Sequence, residues 1–298
     1  MKTVLQRIGV GAALAAAAAL ASCGGSASWD DNVSFQAVAF GDHTFVAAGE
    51  DFSIWNSADG HTFYNQGHDG TGFLRTVNFG GGLWVAAGDN GFVITSHNSA
   101  DWFAQYLPTD RDMYASAFGN GIYVLAGDDG TVFRSTNAGA WFRIDTAPGE
   151  HLDSMVYAQG QFVVVGSDGT VLTSVDGQVW IPRNSGTIEN LRALAFGSGL
   201  FVAVGTNGVI LTSPDAIDWS EKASPTLQDL EAITYGAGRF VAVGRNGALV
   251  TSDDGDSFFE GDAGTGGDLA GIAFGDGLFV AVGSNGKIQN STDGLHWY

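Results

Sequence analysis

After an apolar N-terminal stretch, the chain alternates short apolar runs with glycine-rich polar breaks as far as Tyr298. One unit reads Leu191-Arg-Ala-Leu-Ala-Phe196, Gly-Ser-Gly, Leu200-Phe-Val-Ala-Val-Gly205, Thr206-Asn207-Gly208, Val209-Ile-Leu-Thr-Ser213, then Pro-Asp215-Ala-Ile-Asp-Trp219. Runs of this length, rich in β-branched and aromatic residues, predict strands. Asn-Gly predicts a tight turn, because both turn residues take positive φ. The unit therefore predicts four strands: A around 191–196, B over 200–205, C over 209–213 and D from 219. No helical periodicity competes outside the N-terminal stretch.

The unit recurs. Ser57, Ser96, Ser135, Ser174, Ser213, Ser252 and Ser291 are each 39 residues apart. Two residues after each comes Asp59, Asn98, Asn137, Asp176, Asp215, Asp254 or Asp293. Six residues after each comes Phe63, Trp102, Trp141, Trp180, Trp219, Phe258 or Trp297. Four short antiparallel strands repeated seven times predict an all-β fold, a seven-bladed β-propeller, over residues 29–298. A linear solenoid would want atypical caps, and the last repeat is as regular as the middle ones. The chain reaches Tyr298 as strand D of the seventh unit begins. The segment from Ser28 to Phe35, with Trp29, is expected to supply or pair with that outer strand and close the ring.

The first 22 residues read as an export signal. Lys2 and Arg7 precede an apolar run from Ile8 to Leu20. That run is shorter than the roughly 20 residues a membrane span needs. Leu20-Ala21-Ser22-Cys23 follows, and it resembles a bacterial lipobox with the only cysteine at the cleavage position. The resemblance implies cleavage before Cys23 and lipidation there, with residues 23–28 as a tether. Gly24, where the enterobacterial inner-membrane signal has Asp, points to the outer membrane of the cell envelope, periplasmic or surface-exposed.

Composition narrows the classes. One Cys excludes a disulfide framework and zinc sites built on paired cysteines. Aromatic content of 12% and hydrophobic content of 45% exclude disorder. A net charge of −20 repels phosphate backbones, so no nucleic-acid partner is expected. The six histidines form no pair at metal-ligand spacing, so no transition metal or other cofactor is expected. Acidic B–C turns on the first four units (Glu50-Asp51, Asp89, Asp128-Asp129, Asp168) leave a calcium site conceivable beside ordinary turn chemistry.

The Ser-x-Asp-Gly-x-x-Trp frame resembles the Asp-box, or bacterial neuraminidase repeat, one residue shorter between Asp and Trp. That box occurs in sialidases, sortilin-type receptors, xyloglucanases and photosystem II assembly-factor propellers. The resemblance covers all seven units and implies a structural staple of the C–D hairpin, on the face opposite the active site. Asp and Ser side chains can cap the turn's backbone donors, and the aromatic can bury itself between blades. It marks the fold and not the function, since those families do unrelated things.

Function is therefore sought where the repeats differ. The position 21 residues before each Ser holds Gln36, Arg75, Tyr114, Asp153, Arg192, Glu231 and Ala270. At the start of an innermost strand these side chains should meet at one channel mouth, either as a ligand site or as mutually neutralising salt bridges. The variable D–A loops should reach the same face. The first reading is a monomeric, membrane-anchored binding or assembly module for a protein partner. The second is a glycan-binding or sialidase-like propeller, with Asp153, Glu231 and Tyr114 as candidate catalytic residues. Phe142-Arg143-Ile144-Asp145 lacks the Pro of the sialidase Phe/Tyr-Arg-Ile-Pro signature, and sialidases have six blades.

Overall fold

The computed structural model describes residues 33–67, 70–146, 149–264 and 266–298. The expected leader, Cys23, the tether and Trp29 lie outside the described residues, as do His68, Asp69, Ala147 and Pro148. The chain forms seven antiparallel sheets in sequence order, one per repeat. Blade 5 shows the pattern: strand A is Leu191–Gly197, B is Leu200–Gly205, C is Ile210–Ser213 and D is Ser220–Glu221. Strand A of blade 1 (Phe35–Gly41) lies against strand A of blade 2 (Leu74–Gly80) and of blade 7 (Leu269–Gly275), so the sheets close into a ring. This is a seven-bladed β-propeller.

Seven apolar clusters hold the ring, one at each interface between consecutive blades. The aromatic of each Ser-x-Asp/Asn turn joins the cluster shared with the preceding blade; Trp219, for example, packs on blade 4. Polar ties repeat the same interfaces. Arg134 Nε donates to the Asp176 carbonyl at 2.9 Å, and Gln161 Nε2 to the Asp215 carbonyl at 2.9 Å. The turn itself is a hydrogen-bonded staple. Ser57 Oγ donates to Asp59 Oδ1 (2.9 Å) and accepts from the Gly60 amide (2.9 Å), while Asp59 Oδ1 accepts from the amides of His61 and Thr62 (2.9 and 2.8 Å). Asn98 and Asn137 accept the same pairs of amides in blades 2 and 3.

The seam between blades 7 and 1 uses the same devices. Phe35, Phe45 and Trp55 share a cluster with Leu278, Val280 and Val282. Asn290 Nδ2 donates to the Gly60 carbonyl at 2.9 Å. Tyr298 and Asn290 exchange backbone hydrogen bonds of 3.0 and 3.1 Å, so Tyr298 occupies the first position of the outer strand beside Ile288–Ser291. The Gly286 amide donates to the Val33 carbonyl, as Gly130 does to Glu150 in blade 3. Val33 thus takes the place that a D–A loop residue takes elsewhere in the ring.

Candidate functional site

Each strand A carries a β-bulge at the same place. In blade 5, Leu191 pairs with Gly205 and Ala193 with Val204, so Arg192 has no partner across the ladder. The same shift leaves Gln36, Arg75, Tyr114, Asp153, Glu231 and Ala270 unpaired in the other blades. A bulge bends the strand and re-aims the extra side chain. The residue opposite is always glycine, and a Cβ on Gly205 would overlap the Asn190 carbonyl. Glycine therefore lets strand B approach the bulged backbone closely.

The bulges bring all seven expected residues together. Gln36, Arg75, Tyr114, Asp153, Arg192, Glu231 and Ala270 line one mouth of the channel, a cavity of about 490 Å³. Below it, small residues one and three positions further on (Ala37, Ala39, Ala193, Ala195, Gly271, Ala273) line the channel proper, about 420 Å³. No residue of the Ser-x-Asp/Asn turns lines either cavity.

The mouth is cross-linked by charge. Arg75 Nε meets Asp89 and its Nη2 lies 3.5 Å from Asp112, while its guanidinium sits 4.8 Å from the Tyr114 ring centroid. The Tyr114 ring lies 4.2 Å from that of His151, whose Nδ1 is 2.7 Å from Asp128. Burial pushes the Tyr114 phenol up to about 12, against the opposing pull of Arg75. Arg192 Nη1 donates to Asp153 Oδ1 at 3.2 Å. Burial holds the Asp153 carboxyl above the usual carboxylate range, offset by His151 and Arg192. Arg245 Nε donates to Glu231 at 2.8 Å and lies 3.6 Å from Asp229.

In two of the acidic B–C turns the side chain acts as a local cap. Asp89 and Asp128 accept the amides of Phe73 and Asp112, as the hydroxyls of Ser167 and Thr206 accept those of His151 and Asn190. Among the described residues no three His, Cys, Asp or Glu side chains are grouped to hold a metal ion. Acid at the rim is not confined to the first four units: Asp229, Glu231 and Asp268 place it on the later ones. Sequence reasoning passed over Asp112, Asp229 and Asp268. Their signal was an Asp or Asn two residues before the bulge in four units, Asp112, Asn190, Asp229 and Asp268. Each accepts the amide of the turn residue 22 positions earlier, tying consecutive blades at the rim.

No family model and no curated protein matches the chain. Among solved structures, the computationally designed Ika8 protein is similar in fold, with a TM-score of 0.65 at 15% identity, over 87% of this chain and 96% of its own. YCF48 bound to D1 peptide has a TM-score of 0.62 at 16% identity, over 76% of this chain and 80% of its own. YCF48 from Cyanidioschyzon merolae has a TM-score of 0.61 at 19% identity, over 76% and 84%. At these identities the likeness is one of fold.

Proposed function

We propose that this chain is a binding module of the bacterial cell envelope that holds a protein partner at its channel mouth. One observation carries the reading: seven side chains that differ from blade to blade converge on one cavity, inside a frame that otherwise repeats. A purely structural ring needs no such divergence, whereas a recognition surface does. A rigid disc also presents its mouth without a large ordering cost. The peptide bound to a YCF48 propeller supports this use of the fold. In this reading the Ser-x-Asp/Asn turns are shortened Asp-box staples, and lipidation at Cys23 tethers the disc to the outer membrane.

The glycosidase reading has one feature in its favour, the raised carboxyl of Asp153. An acidic sugar would need free guanidinium groups, and Arg75, Arg192 and Arg245 each face a carboxylate. The test is a photo-crosslinking residue at position 114 in the full lipidated chain, in its native envelope. A control carries it at position 178, on the opposite face. The expected result is a discrete protein adduct from position 114 alone. No adduct there, or the same adducts from both positions, would overturn the reading.

A further inference from the structure

The chemistry of the mouth specifies what kind of segment it can hold. Six carboxylates stand against three arginines: Asp89 and Asp112 on Arg75, Asp153 on Arg192, Asp229 and Glu231 on Arg245, and Asp268 on the rim. Asp128, paired with His151, adds a seventh on the side of blades 3 and 4. Each arginine already faces at least one carboxylate and the carboxylates outnumber them, so the uncompensated charge at the mouth is negative. An anionic ligand would have to displace these pairs, while a cationic one would not.

A second observation is independent of that charge balance. The Asp153 side chain is only 9% exposed and lines both the mouth and the channel, yet its Oδ2 accepts no hydrogen bond. Buried acceptors are ordinarily satisfied, so a carboxylate with an orphan oxygen just behind a cavity wall can accept a further donor when its pair with Arg192 shifts. Arg192 reaches this carboxylate through Nη1 alone and its own Nε is likewise without a partner, so the pair is single-pronged and the carboxylate keeps hydrogen-bonding capacity. A carboxylate can accept from two cationic groups, one on each oxygen.

A third feature lies on the rim. Ile188 and Leu227 are each 84% exposed, at equivalent positions of the loops after blades 4 and 5. Each stands four residues before a mouth residue, Arg192 or Glu231. Both loops are braced. Ser185 and Ser224 donate to the carbonyls of Thr187 and Thr226, and the Glu189 and Gln228 amides donate to the two threonine hydroxyls at 3.1 Å. Two aliphatic side chains are thus held open to solvent on loops that lead into the acidic mouth, a pairing suited to a partner with both features.

Resting on the protein-binding reading, we infer that the mouth takes an Arg or Lys side chain of an extended partner segment. Its charge is held by the mouth carboxylates, Asp153 among them, and an apolar neighbour of that residue sits on Ile188 and Leu227.

The test uses the full chain in detergent and fluorescent probes of the form acetyl-Leu-Gly-Arg-Gly-Leu-amide. Comparison probes have Glu at the centre or Ser at both ends, and the salt is about 150 mM to screen non-specific attraction. The Arg-centred probe should bind about tenfold tighter than the Glu-centred one. Asp153→Asn should weaken it about tenfold, and Glu231→Gln, nearer the surface, severalfold. Ile188→Ser with Leu227→Ser should abolish the preference for Leu over Ser ends. Asp101→Asn makes the same change of net charge on the opposite face and should change nothing. The inference is overturned if the Arg-centred probe does not bind, if the Glu-centred probe binds as well, or if Asp101→Asn matches Asp153→Asn. A partner cross-linked at the mouth through an acidic segment would also overturn it, while leaving the protein-binding reading intact.

Discussion

Arg192 donates one hydrogen bond to Asp153, from Nη1 to Oδ1 at 3.2 Å, and the two groups leave Nε and Oδ2 without partners. Burial raises the Asp153 carboxyl, and Arg192 partly restores it. A carboxyl whose folded pKa is raised favours folding at low pH, and that contribution is lost as pH rises through the raised value. Removing Arg192 raises it further. Arg192→Gln should therefore match the wild type near pH 3 and lose about 1–2 kcal/mol at pH 8, a figure reduced for the solvent at the mouth. Urea unfolding at the two pH values measures this, and a deficit independent of pH would refute it.

The turn aspartates have the opposite sign. Backbone amides hold Asp59, Asp176, Asp215 and Asp254 below the ordinary carboxylate value of 3.8, and Asp293 is lowered chiefly by His296. Their contribution is present above the unfolded value and lost as pH falls through the folded ones. Melting temperature should accordingly drop as pH falls below about 4. Asp176→Asn should fold normally, since Asn98 and Asn137 already make the same bonds, and should soften that drop. Asp176→Ala should cost about 1–2 kcal/mol at pH 7, by loss of two capped amides.

Glycine opposite the bulge is a steric requirement. Gly205→Ala should destabilise by about 2–4 kcal/mol, because the added carbon meets backbone and not a movable side chain. Arg75→Ala isolates a different effect, since Ala270 shows the bulge tolerates alanine; it should leave Asp89 and Asp112 facing each other and lower stability by about 1 kcal/mol. Denaturant titrations of the two variants should separate them clearly, and comparable losses would argue against the steric account.

Tyr114 should stay protonated when the exposed tyrosines have ionised. Its phenol is pushed up to about 12, so carbon-13 spectra of labelled tyrosine should show a late resonance that Tyr114→Phe removes, separate from that of Tyr123, which burial also raises. A Tyr114 resonance titrating near 10 would mean the ring is wetter than its position between Arg75 and His151 implies.

Much of this architecture was legible in the chain because the period of 39 is unbroken, so every structural position could be read seven times. The positive φ expected at the turn pair is found at Asn207 and Gly208. The mouth ring was legible for the same reason, as a variable column in a fixed frame. The bulge was written only faintly, in apolar pairs three apart, such as Leu191 and Leu194, where a flat strand would space them by two. The partners of the arginines were not legible. Arg75 meets Asp89 and Asp112 only because a turn and the next blade's loop fold over one bulge. Such contacts depend on how blades stack, which no local pattern encodes.

The seam that joins Asn290 to Gly60 has a bearing on how the ring forms. Six of the seven interfaces join neighbouring repeats and can assemble locally as synthesis proceeds. The seventh brings together residues 230 positions apart. Such long-range closure is slow, and until it occurs the apolar sides of blades 1 and 7 remain open. In that interval a neighbouring nascent copy offers the same two surfaces. Slow closure at high concentration would then yield exchanged, interlocked rings instead of single ones, so expression rate should influence the yield of monomer.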